Sequence, residues 1–140
     1  MNTTVPRNAL SILIVEDDEI NGPMLKEILG HHVGEVSIVW LAKNLAEAGA
    51  LVEMIKFDFV LSDNRLPDGR GINFLNELCK NSPGTFRCLM SGDFNPTAEE
   101  KAKHNFLRKP APISEILDVV AKAREYKSAW SAKHPRKPRH

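Results

Sequence analysis

Cysteine is scarce in this chain: Cys79 and Cys88 are the only two in 140 residues. Two thiols make a poor disulfide framework, and these have no metal-ligand spacing, so reduced side chains in a cytoplasmic protein are expected. Long apolar runs are missing as well. None approaches the roughly 18 residues that a membrane-spanning helix requires. The opening segment MNTTVPRNALSILIVEDD has one arginine and then an acidic stop, which is a poor secretory signal. Nor does charge of one sign dominate. A formal net charge of +1 gives no global attraction to nucleic acid, and no helix-turn-helix or similar reading motif is visible. The exception is local: Lys127, Lys133, Arg136, Lys137 and Arg139 occupy the last stretch with no acid among them. Residues 127–140 are therefore expected to be a disordered basic tail without an effector domain, with a basic arm for an acidic partner as the alternative. Residues 1–9 read as an N-terminal extension and 10–126 as one folded domain.

What is present is an alternation of strand and helix signals. SILIV (11–15) is a β-rich apolar run with an acidic stop. Met24, Leu25, Ile28 and Leu29 recur at helical spacing, and Pro23 fits a first turn beginning near Asn21. EVSIVWL (35–41) reads as a strand, and Leu45, Ala48, Leu51, Val52 and Ile55 as a helix stripe. FDFVLSD (57–63) is a third strand, closed by a Pro-Asp-Gly turn. A helix over Ile72 to Cys79, the strand FRCLMS (86–91), a short polar helix from Pro96 to His104 and the strand NFLRK (105–109) follow. A last helix, capped by Ser114, runs to about Tyr126. Five buried-type strands alternating with helices predict an α/β fold, a doubly wound parallel sheet with helices on both faces. The histidines show no ligand pattern and are expected at the surface.

In such sheets the crevice lies beyond the carboxyl ends of the strands. Those ends carry Glu16-Asp17-Asp18, Asp63, Ser91 and Lys109. Clustered acids repel unless a cation sits among them, and hard oxygen ligands suit magnesium. A carboxylate nucleophile beside magnesium, a lysine and a hydroxyl can accept a phosphoryl group. Asp18 and Glu19 have a simpler role available, as favourable charge at a helix N-terminus.

ILIVEDDE, DNRLPDGRG, MSG and FLRKP, in that order, make residues 10 to 126 resemble a receiver domain of a two-component response regulator, of a stand-alone kind. The resemblance implies a flavodoxin-like receiver fold and places Asp63 as phosphoacceptor. It gives Asp17 a direct contact with Mg2+, Glu16 one through water, and the backbone carbonyl of Arg65 a further ligand position. Ser91 takes the hydroxyl switch position, Lys109 the conserved-type lysine, and Lys109-Pro110 a bond that is cis in the family. Phe106 stands at the aromatic switch position, where plain core is the competing reading. The implied partners are a histidine kinase or histidine phosphotransfer protein and a downstream protein target, with neither membrane nor nucleic acid expected. The protein would be no enzyme beyond its own phosphorylation and dephosphorylation. Ser91 and Lys109 are only eighteen positions apart, so the fourth helix is expected to be shortened. Arg65 and Asp93 are expected to pair across the pocket rim, either slowing hydrolysis or without kinetic effect. Two rival classes stay open: a receiver-shaped interaction module that works without phosphorylation, and a phosphate-ester hydrolase.

Overall fold

The structure, a computed structural model, describes residues 9–31 and 37–135. Residues 1–8, 32–36 and 136–140, including the start of the EVSIVWL strand, His32 and the end of the basic tail, lie outside the described residues.

The chain runs β1 (Leu10–Val15), α1 (Asn21–Gly30), β2 (Ser37–Ala42), α2 (Leu45–Met54) and β3 (Phe59–Asp63). A two-residue hairpin follows, β4 (Arg65–Leu66) and β5 (Gly69–Arg70). Then come α3 (Gly71–Asn81), β6 (Phe86–Ser91), α4 (Ala98–Lys103), β7 (Asn105–Arg108) and α5 (Ile113–Lys133). Five strands form one parallel sheet in the order β2-β1-β3-β6-β7. The chain leaves β1 towards β2 on one side and returns to β3 on the other. The carboxyl ends of β1 and β3 therefore flank a topological switch point, where α/β sheets leave a crevice.

Strand periodicity divides the core between two faces. Ile12, Ile14, Phe59, Leu61, Cys88 and Met90 pack with Leu25 and Leu29 of α1 and Ile116, Val119 and Val120 of α5. Leu13, Val15, Val60 and Leu89 pack with Ala48 of α2 and Ile72, Leu75 and Leu78 of α3. Burial on both sides is why the strands read as continuous apolar runs.

Helix α4 has six residues and buries none of them. A helix so short has little stability of its own. A capping box between Thr97 and Glu100 holds its start. Its end is held by Arg87, a buried cation on β6. The guanidinium donates to the Lys103 carbonyl (3.0 Å), the Thr85 carbonyl (2.7 Å) and His104 Nδ1 (3.2 Å). Since Arg87 can only donate, Nδ1 accepts, and Nε2 carries the proton that His104 gives to Asn76 Oδ1 at 2.7 Å. The surface expectation for the histidines is thus wrong at His104, which is 4% exposed. It satisfies a buried arginine, whose charge sequence spacing does not pair with it.

Burial, then the charges of Arg87 and Lys103, push the His104 pKa down from 6.5 to about 4 against the opposing charge of Glu100. The unfolded chain binds this proton near pH 6.5 and the folded chain only near 4. Stability present above pH 6.5 is therefore lost as pH falls through that window, by up to about 3 kcal/mol. Urea unfolding at pH 7 and pH 5 should show the loss, and His104→Gln should reduce it. A wild-type difference no larger than that of the variant would rule the histidine out as its source.

Helix α5 runs to Lys133, past the expected end at Tyr126, so the first part of the basic tail is helical. Aromatic residues at helical spacing fasten it. Tyr126 Oη donates to the Pro83 carbonyl (2.6 Å), Trp130 lies over Gly84, and His134 stacks on Trp130 at 3.8 Å. Lys127, read as tail charge, donates to the Ala9 carbonyl and to Asp58 Oδ2. The expected Ser114 cap is also replaced: the helix begins at Ile113 after Pro112, whose fixed φ suits a helix entrance.

Candidate functional site

Strand register brings the polar strand ends into one row. Val15 lies beside Ser62, Asp63 beside Met90, and Ser91 beside Arg108. Glu16, which follows β1, therefore meets Asp63 across the switch point, and Lys109, which follows β7, reaches both from beyond the end of β6.

Glu16 is 2% exposed. Its backbone N–H continues the sheet by donating to the Ala42 carbonyl, and its Oε1 accepts from Lys109 Nζ at 2.9 Å. Lys109 Nζ also lies 3.4 Å from Asp63 Oδ2. Asp17, exposed, completes a group in which one oxygen each of Glu16, Asp17 and Asp63 lie within 4.8 Å of one another. Asp18 stands apart: its Oδ1 accepts from the N–H groups of Ile20 and Asn21, both at 2.8 Å, and so serves the entrance of α1.

Burial, together with the charge of Asp63, raises the Glu16 pKa despite the lysine. For Lys109, burial works against the cation, but the hydrogen bond to Glu16 and the charge of Asp63 prevail and raise its pKa. Read together, the two directions describe one firmly protonated lysine serving more carboxylate than it can neutralise. An all-oxygen donor set short of positive charge fits a hard divalent cation such as magnesium, and has neither nitrogen nor sulfur to favour a softer metal.

The turn after Asp63 is built by residues that sequence reading passed over. Asn64, buried, accepts from the Gly71 N–H on its carbonyl (2.9 Å) and from the Ile72 N–H on Oδ1 (3.2 Å), so it caps α3. Its own N–H donates to Asp63 Oδ1 at 2.9 Å, which fixes the carboxylate. Asp68 accepts from the N–H groups of Leu45 and Ala46 and clamps the hairpin tip onto the start of α2. Gly69 supplies a φ of +152° at that tip, with Leu45 Cδ1 only 2.8 Å from where a Cβ would stand. Arg65 is thereby placed in β4, opposite Arg70, two residues after Asp63. Asn and Asp before a Gly-containing turn were the available signal, but their targets lie on other elements.

Ser91 ends β6 and is buried; its carbonyl accepts from the Lys109 N–H at 3.0 Å. Its hydroxyl is engaged with Asp93 and Phe94, while the Arg65 guanidinium pairs with Asp93. Phe106, half-buried, stacks on Phe94 with centroids 6.0 Å apart and meets His104 edge-on. The Lys109-Pro110 peptide is cis.

Known proteins resemble this arrangement in sequence and fold. The family model described as the response regulator receiver domain matches residues 12–121. The transcriptional regulatory protein DpiA of Escherichia coli K12 is 34% identical over 122 residues, which cover 84% of this chain and 54% of DpiA. The response regulator receiver protein Anae109_2439 of Anaeromyxobacter is 34% identical over 111 residues, 76% of this chain and 45% of that protein. The chain thus spans about half the length of these curated relatives. Among solved structures, the beryllofluoride-activated NtrC4 receiver domain dimer aligns with a TM-score of 0.71 and 28% identity, covering 83% of this chain and 98% of that one. A CheY-like receiver domain protein from Methanospirillum hungatei JF-1 aligns at 0.74 and 25%, covering 87% and 98%. With five parallel strands in receiver order and a matched family model over most of its length, this chain belongs to the response regulator receiver domain family of two-component signalling.

Proposed function

We propose that Asp63 accepts a phosphoryl group from a phosphohistidine of a histidine kinase or histidine phosphotransfer protein, and that the modified domain signals through contact with another protein. The observation that carries this reading is the difference between two neighbouring carboxylates. Glu16 is buried and tied to Lys109, whereas the Asp63 side chain is 13% exposed, with Oδ1 oriented by the Asn64 N–H. One acid is a fixed charge and the other is the reachable nucleophile.

In the transfer, an Asp63 oxygen forms a bond to phosphorus as the P–N bond to the donor imidazole breaks, and the bonding pair stays with the imidazole. Magnesium would be held by Asp17, Asp63 and the Arg65 backbone carbonyl, with Glu16 acting through water, and would offset charge on the phosphoryl oxygens. Lys109 supplies a second fixed positive charge, and Ser91 a hydroxyl to donate to the new phosphoryl group. Ile20 and Ile113, 76% and 54% exposed, follow Asp18 and Lys109 closely in the chain. Their apolar surface suits a protein donor. No helix among the described residues is long and apolar enough to cross a membrane, and two free thiols fit a cytoplasmic setting.

Incubation with magnesium and acetyl phosphate should add one phosphoryl mass to the wild-type protein and none to Asp63→Ala. No gain in the wild type favours the phosphorylation-independent interaction module. In the same assay, followed after the donor is removed, Arg65→Ala should lose its phosphoryl group several-fold faster if the Arg65 side chain at the pocket rim obstructs water. An unchanged half-life would leave the Arg65–Asp93 pair a surface contact worth about 0–1 kcal/mol.

A further inference from the structure

The Ser91 hydroxyl has no capacity to spare. It donates to Asp93 Oδ1 at 3.1 Å and accepts from the backbone N–H groups of Asp93 (3.3 Å) and Phe94 (3.2 Å). One proton and two lone pairs are thus all used by the two residues just beyond Gly92. The other oxygen of Asp93 accepts from the guanidinium of Arg65, on the hairpin that follows Asp63. The loop reaches further still. Phe94 stacks on Phe106, while Arg108 on β7 donates to the Gly92 carbonyl (3.0 Å) and to Asn95 Oδ1 (3.3 Å).

We propose that Asp93 is a positioning residue, a latch that keeps the Ser91 hydroxyl occupied until a phosphoryl group at Asp63 draws both Ser91 and Arg65 off it. This rests on phosphorylation at Asp63. The physical basis is competition for two donors. A phosphoryl group carries more negative charge than a carboxylate and has three strong acceptor oxygens, so the hydroxyl proton and the guanidinium both prefer it when it is within reach. Asp93 then loses both partners while facing a new like charge, and moves outward. The loop from Gly92 to Asn95 moves with it, which changes the Phe94–Phe106 stack and the hold of Arg108. A six-residue α4 that buries none of its side chains offers little resistance to that movement.

Removing the latch should make the activated state easier to reach. Magnesium with beryllofluoride, a phosphoryl analogue, serves as the probe on the full chain, read by titration and by the amide NMR signals of Phe94, Phe106 and Arg108. Asp93→Ala is expected to bind beryllofluoride about tenfold more tightly than wild type, because Ser91 no longer gives up a charge-assisted hydrogen bond. Before the probe is added, its Phe94 and Phe106 signals should already lie part-way along the wild-type apo-to-bound displacement. Loss of a negative charge near the site could by itself tighten anion binding, so the same substitution is repeated in a background that carries both Ser91→Ala and Arg65→Ala. There a latch has nothing to hold, and the gain should fall below twofold. An equal gain in both backgrounds overturns the latch in favour of plain repulsion, and no gain in either overturns it outright. In both cases a wild type that binds the probe leaves the phosphoryl-acceptor reading standing. A wild type that shows no Asp63-dependent binding removes that reading, and the latch with it.

Discussion

Gly71→Ala should unfold well below the wild type, by an expected 10 °C or more, and any folded fraction should fail to gain mass from acetyl phosphate. Gly71 is the first residue of α3, packed against the end of β3. A Cβ there would overlap the Asp63 carbonyl oxygen and stand 2.7 Å from Ser62 Oγ and 3.0 Å from the Asp63 carbonyl carbon. Two of those three atoms are backbone of a strand paired on both sides, so they cannot swing away as a side-chain tip can. Forcing a methyl group into packed surroundings costs about 1–3 kcal/mol, and more where backbone must shift. At about 2–4 °C per kcal/mol for a domain somewhat larger than this one, a cost at or above the top of that range gives the expected drop. The functional loss has the same origin, since relief of the overlap displaces the residue that carries the nucleophile. Gly49→Ala is the matched control: nothing lies within 4 Å of its Cβ, and it sits inside α2. It should gain up to about 1 kcal/mol from helix propensity. Equal melting temperatures for Gly71→Ala and wild type would show that this close approach does not exist in solution.

Lys109→Met should abolish the mass gain and, without magnesium, cost about 2 kcal/mol of stability, much of it returned by millimolar magnesium. Methionine keeps the length of the stem and removes the charge. Glu16 then remains 2% exposed without its cation, with the Asp63 carboxylate as neighbour. Breaking a fully buried pair costs about 3–5 kcal/mol, reduced here because Lys109 is 28% exposed. The burial and like charge that already raise the Glu16 pKa would then act without the lysine against them, so the variant should take up a proton at a higher pH than wild type. Magnesium binding to the folded state supplies positive charge at the same place, and stabilisation grows with its concentration. Chemical denaturation with and without magnesium measures both effects. A variant as stable as wild type in metal-free buffer would mean that the lysine does not serve the acidic group.

Legibility differed between parts of the molecule for physical reasons. The strands that form the centre of the sheet are buried on both faces, so nearly every residue in LSILIV and FRCLMS had to be compatible with a core, and the pattern was plain. Strand ends were equally readable, because a charged residue marks where such an apolar run stops, even where, as with Glu16, it stays buried. That alone brought Glu16, Asp63 and Lys109 into one group. Helix α5 was misjudged because its last turns hold basic residues and alanines, with Tyr126, Lys127 and Trp130 turned to the body. A tail and a helix that packs through two aromatic rings look alike in composition. His104 was misplaced because its partner, Arg87, is a cation buried in a strand, which no periodicity announces.

The sequence by itself determined the order of elements, the parallel sheet and the set of groups gathered at its edge, since local burial requirements act on each residue separately. Tertiary structure decided what those groups do to one another. Lys109 serves both Glu16 and Asp63, Asn64 turns from the α3 entrance to orient the Asp63 carboxylate, and Asp93 occupies the hydroxyl of Ser91. These pairings join residues on different elements, and hydrogen-bond geometry depends on tenths of an ångström that only the packed backbone sets.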